Sequence, residues 1–246
     1  MKAYIVGDTH GKLDLAKLNP ENLKSAGITE RDILIHLGDI GVPAFGTDHD
    51  EVLEYYRSLP FETIVNLGNH ENYRWILKQP LIKKYGVNGY QLGERLFAPL
   101  LGEIITLGTK RFWFYPGGYS IDYRWREWGH DIYVEELPTK ETSDQALQKL
   151  RASGGVDIII SHDGPRHFVM KHFGFPIQPQ SEAYTEKSST TEVRIHPGLA
   201  LDEIYREPHL YNQWFFGHHH RDFCHQQIFA VFDQLHVVDL GVQNDA

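Results

Sequence analysis

Three stretches decide the fold: Lys2-Ala3-Tyr4-Ile5-Val6-Gly7-Asp8-Thr9-His10, Ile33-Leu34-Ile35-His36-Leu37-Gly38-Asp39 and Thr63-Ile64-Val65-Asn66-Leu67-Gly68-Asn69-His70-Glu71. Each opens on a short apolar run and closes on glycine and polar side chains. Runs of this length, bounded by turn residues, suit buried strands. The glycines permit tight turns and close backbone approach where the strands end. Between the second and third stretches, Val52, Leu53, Tyr55 and Tyr56 recur at helix-like spacing over residues 50–58. A short helix is expected around Leu13 to Leu18, and helix-like sequence follows the third run to about Lys78. Strand, helix, strand, helix, strand predicts α/β layering. In such sheets ligands bind beyond the carboxyl ends of the strands, where the three polar blocks fall.

Outward from this core, residues 103–116 read as a hairpin turning near Gly108. Gly117-Gly118 then lead into an aromatic and basic stretch, Tyr119 to His130. Residues 139–151 read as a helix, and Val156 to Ile160 as a buried strand ending at Ser161-His162-Asp163. Residues 176–192 are polar, with Pro176 and Pro179, and are expected to form a mobile loop or lid. From Gln213 on, short strands are expected around Gly217-His218-His219-His220. With no repeat, low-complexity tract or linker, the expectation is a single domain over residues 1–246, with insertions near 117–130 and 164–192.

The chain has 246 residues, of which 41% are hydrophobic and 23% charged. Those fractions exclude disorder, collagen and coiled coil as descriptions of the whole. One cysteine, Cys224, rules out an intramolecular disulfide and suits a reducing compartment. No apolar run reaches the ~18 residues needed to span a membrane, and the N-terminal run is too short for a signal peptide. A cytoplasmic protein with no membrane partner is expected. The 24 basic against 33 acidic residues give −9, a poor balance for long nucleic acid. Fifteen histidines are the unusual count, because several stand beside aspartate, asparagine and glycine.

Five blocks carry that chemistry: Asp8-Thr9-His10, Gly38-Asp39, Gly68-Asn69-His70-Glu71, Ser161-His162-Asp163 and Gly217-His218-His219-His220. Singly they have bland readings. A strand-end Asp commonly caps a helix, and a histidine trio can be a surface patch. Together they offer carboxylate, imidazole and amide oxygen without thiolate, a set that suits manganese, iron or zinc. Two ions roughly 3.5–4 Å apart, sharing a bridging carboxylate, fit that set.

The ordered series resembles the signature of the calcineurin-like metallophosphoesterases, D-x-H, G-D, G-N-H-[ED], H, G-H-x-H, over residues 7–220. The resemblance implies a two-sheet β-sandwich flanked by helices, with two divalent ions at its loop-rich end. By matching motif, it implies that Asp8, His10 and His220 bind the first ion and that Asp39 bridges both. Asn69, His162 and His218 would bind the second, and His70 would donate a proton to the leaving group. His219, at the variable position, would be incidental. Manganese is the expected metal, with iron, zinc, nickel or magnesium as alternatives. The implied reaction is hydrolysis of a phosphate ester by a metal-bridging hydroxide.

The chain also departs from one branch. Serine/threonine protein phosphatases of that superfamily extend the second block as G-D-x-V-D-R-G, where this chain has Gly38-Asp39-Ile40-Gly41-Val42-Pro43. They also place an arginine before G-N-H-E, where this chain has Asn66-Leu67. The acid that orients the proton-donating histidine is therefore missing, with Asp48 or Asp50 as candidate replacements. Arg124 and Arg126 are the candidate substrate-binding residues. Their G-G-x-S-I-D-x-x-x-R context is similar to small single-domain bacterial and phage phosphoesterases. A phosphomonoesterase is the leading expectation and a phosphodiesterase acting on nucleotides or nucleic acid the alternative. The remote alternative is a non-catalytic protein-binding scaffold, against which His70 and every ligand position stand intact.

Overall fold

A computed structural model describes residues 1–42, 50–175, 182–187 and 192–241. Its strands are β1 (Lys2–Val6), β2 (Ile33–His36), β3 (Glu62–Val65), β4 (Leu81–Lys84), β5 (Val87–Gln91), β6 (Leu96–Pro99) and β7 (Ile104–Leu107), followed by β8 (Lys110–Tyr115), β9 (Val156–Ser161), β10 (Tyr211–Phe216), β11 (Phe223–His225), β12 (Ile228–Ala230) and β13 (His236–Asp239). Its α-helices are α1 (Pro20–Ala26), α2 (Glu51–Ser58), α3 (Tyr73–Ile76), α4 (Lys140–Ala152), α5 (Arg166–Phe173), α6 (Glu182–Lys187) and α7 (Pro197–Tyr205).

The strands form two mixed sheets, ordered β13-β1-β2-β3-β6-β5-β4 and β11-β12-β10-β9-β8-β7. Their centres are parallel: β1-β2-β3-β6 in the first sheet and β8-β9-β10-β12 in the second. The apolar runs exist because both faces of these strands are covered. Ala3 and Ile5 face Ile35, Phe112, Phe114, Ile158 and Phe215 in the core between the sheets. Tyr4 and Val6, on the other face of β1, pack with Val52, Leu53 and Tyr56 of α2. Trp113, Ile159 and Trp214 line a third core with Leu147 and Leu150 of α4 and Leu201 of α7. The result is the α/β two-sheet sandwich flanked by helices.

Several boundaries differ from the sequence reading. The helix expected at Leu13 to Leu18 is a 3₁₀ turn at Leu15–Leu18. The antiparallel strands β4 and β5, and the β6 that joins them to β3, were not anticipated. β4 and β5 are half-exposed and mixed, without the apolar run that marks β1, β2 and β3, and β6 is buried but only four residues long. The segment 176–192 lies outside the described residues except for α6 and Glu192, as does Asp48. No helix among the described residues is long and apolar enough to cross a membrane.

Candidate metal centre

All five blocks lie at strand ends or in the turns that follow β1, β2, β3, β9 and β10. The parallel centres of both sheets therefore deliver them to one end of the sandwich. Asp8, His10 and His220 offer ligand atoms that all lie within 4.8 Å of one another. The same holds for Asp39, His162 and His218, and for His10, Asp39 and His70. Asp39 joins the two halves: its Oδ2 is 3.3 Å from His10 Nε2 and its Oδ1 is 3.2 Å from His162 Nε2. Asn69 Oδ1 stands 3.0 Å from the same His162 nitrogen.

The backbone at these turns is unusual. Asp8, His10, Asp39, His218 and His220 all have positive φ, between 46° and 66°. Left-handed backbone costs an ordinary residue roughly 1–2 kcal/mol, and Asp and His are among the types that tolerate it best. Concentrating five such residues in one cluster trades stability for aim. The turns also approach closely. A Cβ on Gly38 would collide with His162 Nδ1, and one on Gly217 with Asp8 Oδ2.

The donor atoms fit divalent cations. Asp8 Oδ2 and His10 Nε2 are buried with no hydrogen-bond partner among the described residues. His162 Nδ1 donates to the Leu37 carbonyl at 2.9 Å, so a neutral His162 turns a bare Nε2 toward the oxygens of Asp39 and Asn69. Electron pairs facing one another in a buried site call for positive charge between them. The ionisation tendencies agree. Burial pushes Asp8 up to about 7. Burial alone would lower His162, but Asp39, helped by Asp8 and Glu71, pushes it up to about 10. Burial holds His218 neutral.

Other residues brace the turns. Glu71 accepts from Ile40 N at 2.8 Å and Gly68 N at 3.0 Å, tying the second block to the third. His219 is bonded to Asp163, Nε2 to Oδ1 at 3.0 Å, which links the fourth block to the fifth. His36 Nδ1 accepts from Gly38 N at 3.2 Å, leaving its Nε2–H for Thr9 Oγ1 at 3.3 Å, whose hydroxyl is 2.8 Å from Tyr56. Sequence reasoning gave Glu71 and His36 no role. A buried polar side chain beside a glycine turn was the available signal.

The cluster opens on a cleft of about 500 Å³. Asn69, His70, His218, Ile121, Met170 and Phe175 are among the residues that line it. Arg166 also lines it, with its Nε buried and unpartnered among the described residues. Arg124 and Arg126 do not line it. Arg124 is exposed, its Nε donating to the Tyr123 hydroxyl at 3.1 Å. Arg126 lies against His70, with Nη2 3.4 Å from Nδ1, and donates to Ser120 Oγ at 2.6 Å and to the Asp131 carbonyl. Asp50, a candidate orienting acid, instead caps α2 by accepting from Val52 N and Leu53 N.

Comparison with known proteins gives no match among curated proteins. Solved structures that the chain matches include a Staphylococcus aureus protein provisionally described as a 5′-nucleotidase, in complex with α-ketoglutarate. It is 16% identical with a TM-score of 0.48, and the alignment covers 94% of this chain and 48% of that one. The chain thus spans about half of that protein's length. Another is a protein of unknown function from Aquifex aeolicus, 19% identical with a TM-score of 0.33, covering 67% of this chain and 81% of that one. The model of the family described as calcineurin-like phosphoesterase matches residues 1–222, a span that takes in all five blocks. By that match the chain belongs to the calcineurin-like phosphoesterase family.

Proposed function

We propose that this chain, a metal-dependent phosphoric ester hydrolase by family, hydrolyses a phosphate monoester at a pair of divalent cations. The family implies a dinuclear divalent centre, and manganese is the metal we expect. Asp8, His10 and His220 would hold one cation, Asn69, His162 and His218 the other, with Asp39 shared. Such cations, when bound, offset charge on the phosphoryl oxygens and acidify a water.

The protein's own groups do the rest. Asp39 Oδ1 accepts from the backbone of Asn69 at 2.9 Å and of His70 at 2.8 Å, so one carboxylate aligns the ligand turn and the leaving-group side together. A guanidinium only donates, so His70 Nδ1 accepts from Arg126 and the ring's proton sits on Nε2. Partial burial lowers the pKa of His70, and Arg126 adds to that effect against Asp39. His70 therefore steadies the leaving oxygen with its Nε2–H as a neutral hydrogen-bond donor. Arg126 acts through His70, in the place of the missing acid.

The observation that carries the monoester reading is Arg166, which lines the cleft beside the cluster with its buried Nε unpartnered among the described residues, and which supplies positive charge for a dianionic phosphate. The chain's net −9 supports a small substrate over long nucleic acid. We also take residues 1–246 as one working domain, a reading supported by the pairing of β13 with β1. The test is turnover of a chromogenic monoester beside the matching diester, with protein loaded in Mn²⁺. A monoester preference of about tenfold or more, lost in Arg166→Met through KM, supports the reading. A diester preference overturns it in favour of nucleotide or nucleic-acid diesters.

A further inference from the structure

An amide side chain can present either end to a cation site, and only its oxygen can ligate. Asn69 turns Oδ1 toward the cluster, and what fixes that orientation lies outside the cluster. Its Nδ2 donates to Ser120 Oγ at 2.9 Å. The same hydroxyl oxygen accepts from Arg126 Nη1 at 2.6 Å. Both lone pairs of that hydroxyl are thereby used. Glu136 receives the Tyr184 hydroxyl and, at 3.4 Å, the Tyr133 N–H. The Tyr184 oxygen accepts in turn from Ser120 N at 3.2 Å.

Ser120, Glu136 and Tyr184 are each at most 1% exposed, so no water competes for these bonds. Turning the Asn69 amide over would withdraw the donor that Ser120 Oγ accepts and would turn an NH2 toward His162 in place of the oxygen. A buried hydrogen bond would be lost in a dry site, and a group that cannot ligate would face the cluster. There is also no slack for the chain to shift. A Cβ on Gly118 would stand 2.9 Å from Asn69 Oδ1 and 2.7 Å from His162 Cδ2.

We infer that Ser120, Glu136 and Tyr184 are positioning residues that hold the Asn69 oxygen toward Asp39, His162 and His218, and so set the affinity of the second cation site alone. This rests on the reading of Asn69 as a ligand. The three residues come from the loop after β8, from the 3₁₀ turn Val134–Glu136 and from α6. Among the described residues, no hydrogen bond or ion pair joins Ser120, Glu136 or Tyr184 to Asp8, His10 or His220, so the two cation sites are unequal in their dependence on the 117–137 segment.

The experiment is calorimetric titration of the full chain, stripped with chelator, with Mn²⁺ alone. Two binding events are expected for the parent protein. Tyr184→Phe, which removes one oxygen two hydrogen bonds away from Asn69, and Ser120→Ala should weaken one event by on the order of 10–100-fold and leave the other in place. Ser120→Thr, which keeps the hydroxyl, should restore it. Asn69→Ala should weaken the same event. If Asn69→Ala acts and neither Tyr184→Phe nor Ser120→Ala does, the positioning network is refuted and the ligand reading stands. If Asn69→Ala changes neither event, the ligand reading itself falls. Equal weakening of both events in Tyr184→Phe would mark a general structural effect and also overturn the inference.

Discussion

At the strand ends, backbone meets backbone: Asp8 N donates to Gly38 O at 3.1 Å, His10 N to Asp39 O at 2.8 Å, and Gly217 N to His162 O at 3.0 Å. The turns are short, strained and stapled to one another, and their side chains are left free to aim. In the segment from Gly117 to Leu137, side chains hold the segment to the cluster instead, through Ser120, Arg126, Glu136 and Tyr184. Tyr119, Ile132, Leu137 and Tyr184 form a small apolar cluster of their own beneath it. On the reading proposed here, one region makes the cluster and the other tunes it. Removing a residue from the first should therefore abolish the centre, and removing one from the second should change its properties.

The largest effect belongs to Asp39, which stands in both halves of the cluster and also accepts from two backbone amides. Asp39→Asn keeps the shape and an acceptor but removes the shared charge. Metal analysis of the purified variant should find both ions lost together, with turnover falling about a thousandfold or more. Retention of one full equivalent of metal would break the assignment of Asp39 as the bridge, and with it the idea that the strand-end turns form one unit.

The same contrast explains what was legible in the sequence. Glycine-plus-polar blocks at strand ends are local features, so Asp8, Asp39, Asn69 and His218 stand out within a few residues of an apolar run. The parallel strands β1, β2, β3 and β9 were legible because each is an apolar run with both faces buried and a polar block at its end. β4 and β5 were not, because their burial depends on neighbours far along the chain. Arg126 stood out as a cation, but its place against His70 depends on the fold of the whole 117–137 segment. Ser120, Glu136 and Tyr184 are 16 to 64 residues apart, and no spacing rule connects them. His219 read as incidental from its variable position in the last block, and its bond to Asp163, 56 residues away, depends on the fold.

Loss of His70 should have a smaller effect. His70→Ala should keep both ions by metal analysis while turnover of a poor leaving group, such as an alkyl phosphate, falls about 10²–10³-fold. An activated aryl phosphate, whose leaving oxygen needs little help, should lose far less. Equal losses for the two would exclude a role at the leaving oxygen. Arg126→Met separates the regions further. It frees His70 Nδ1 and removes a nearby cation, so the imidazole should charge more readily and the pH–rate profile should shift to higher pH at its acid side. An unchanged profile would mean that Arg126 acts only on Ser120.

The smallest effect is on stability, and it tests the two regions with opposite signs. Burial drives His36 down to about 3, so the folded protein holds it neutral while the unfolded chain takes up a proton near 6.5. Over that interval the unfolded state binds more protons, and the His36 contribution is lost as pH falls from about 6.5 toward 3. Burial pushes Glu136 up to about 8 against the hydrogen bonds from Tyr184 and Ser120. Here the folded state binds more protons, so stability is lost as pH rises from about 4.5 toward 8. Cluster residues titrate in the same range, which makes a single melting curve uninformative. The difference between variant and parent melting temperatures, followed against pH, cancels the titrations they share. His36→Asn should flatten the acid side and leave the alkaline side alone, and Glu136→Gln should do the reverse. Each difference should reach about 3 °C or more at the extremes, the scale of one kcal/mol in a chain of this size. If both variants alter the same side, the strand-end turns and the 117–137 segment are not separable, because one region's protons are then being read through the other.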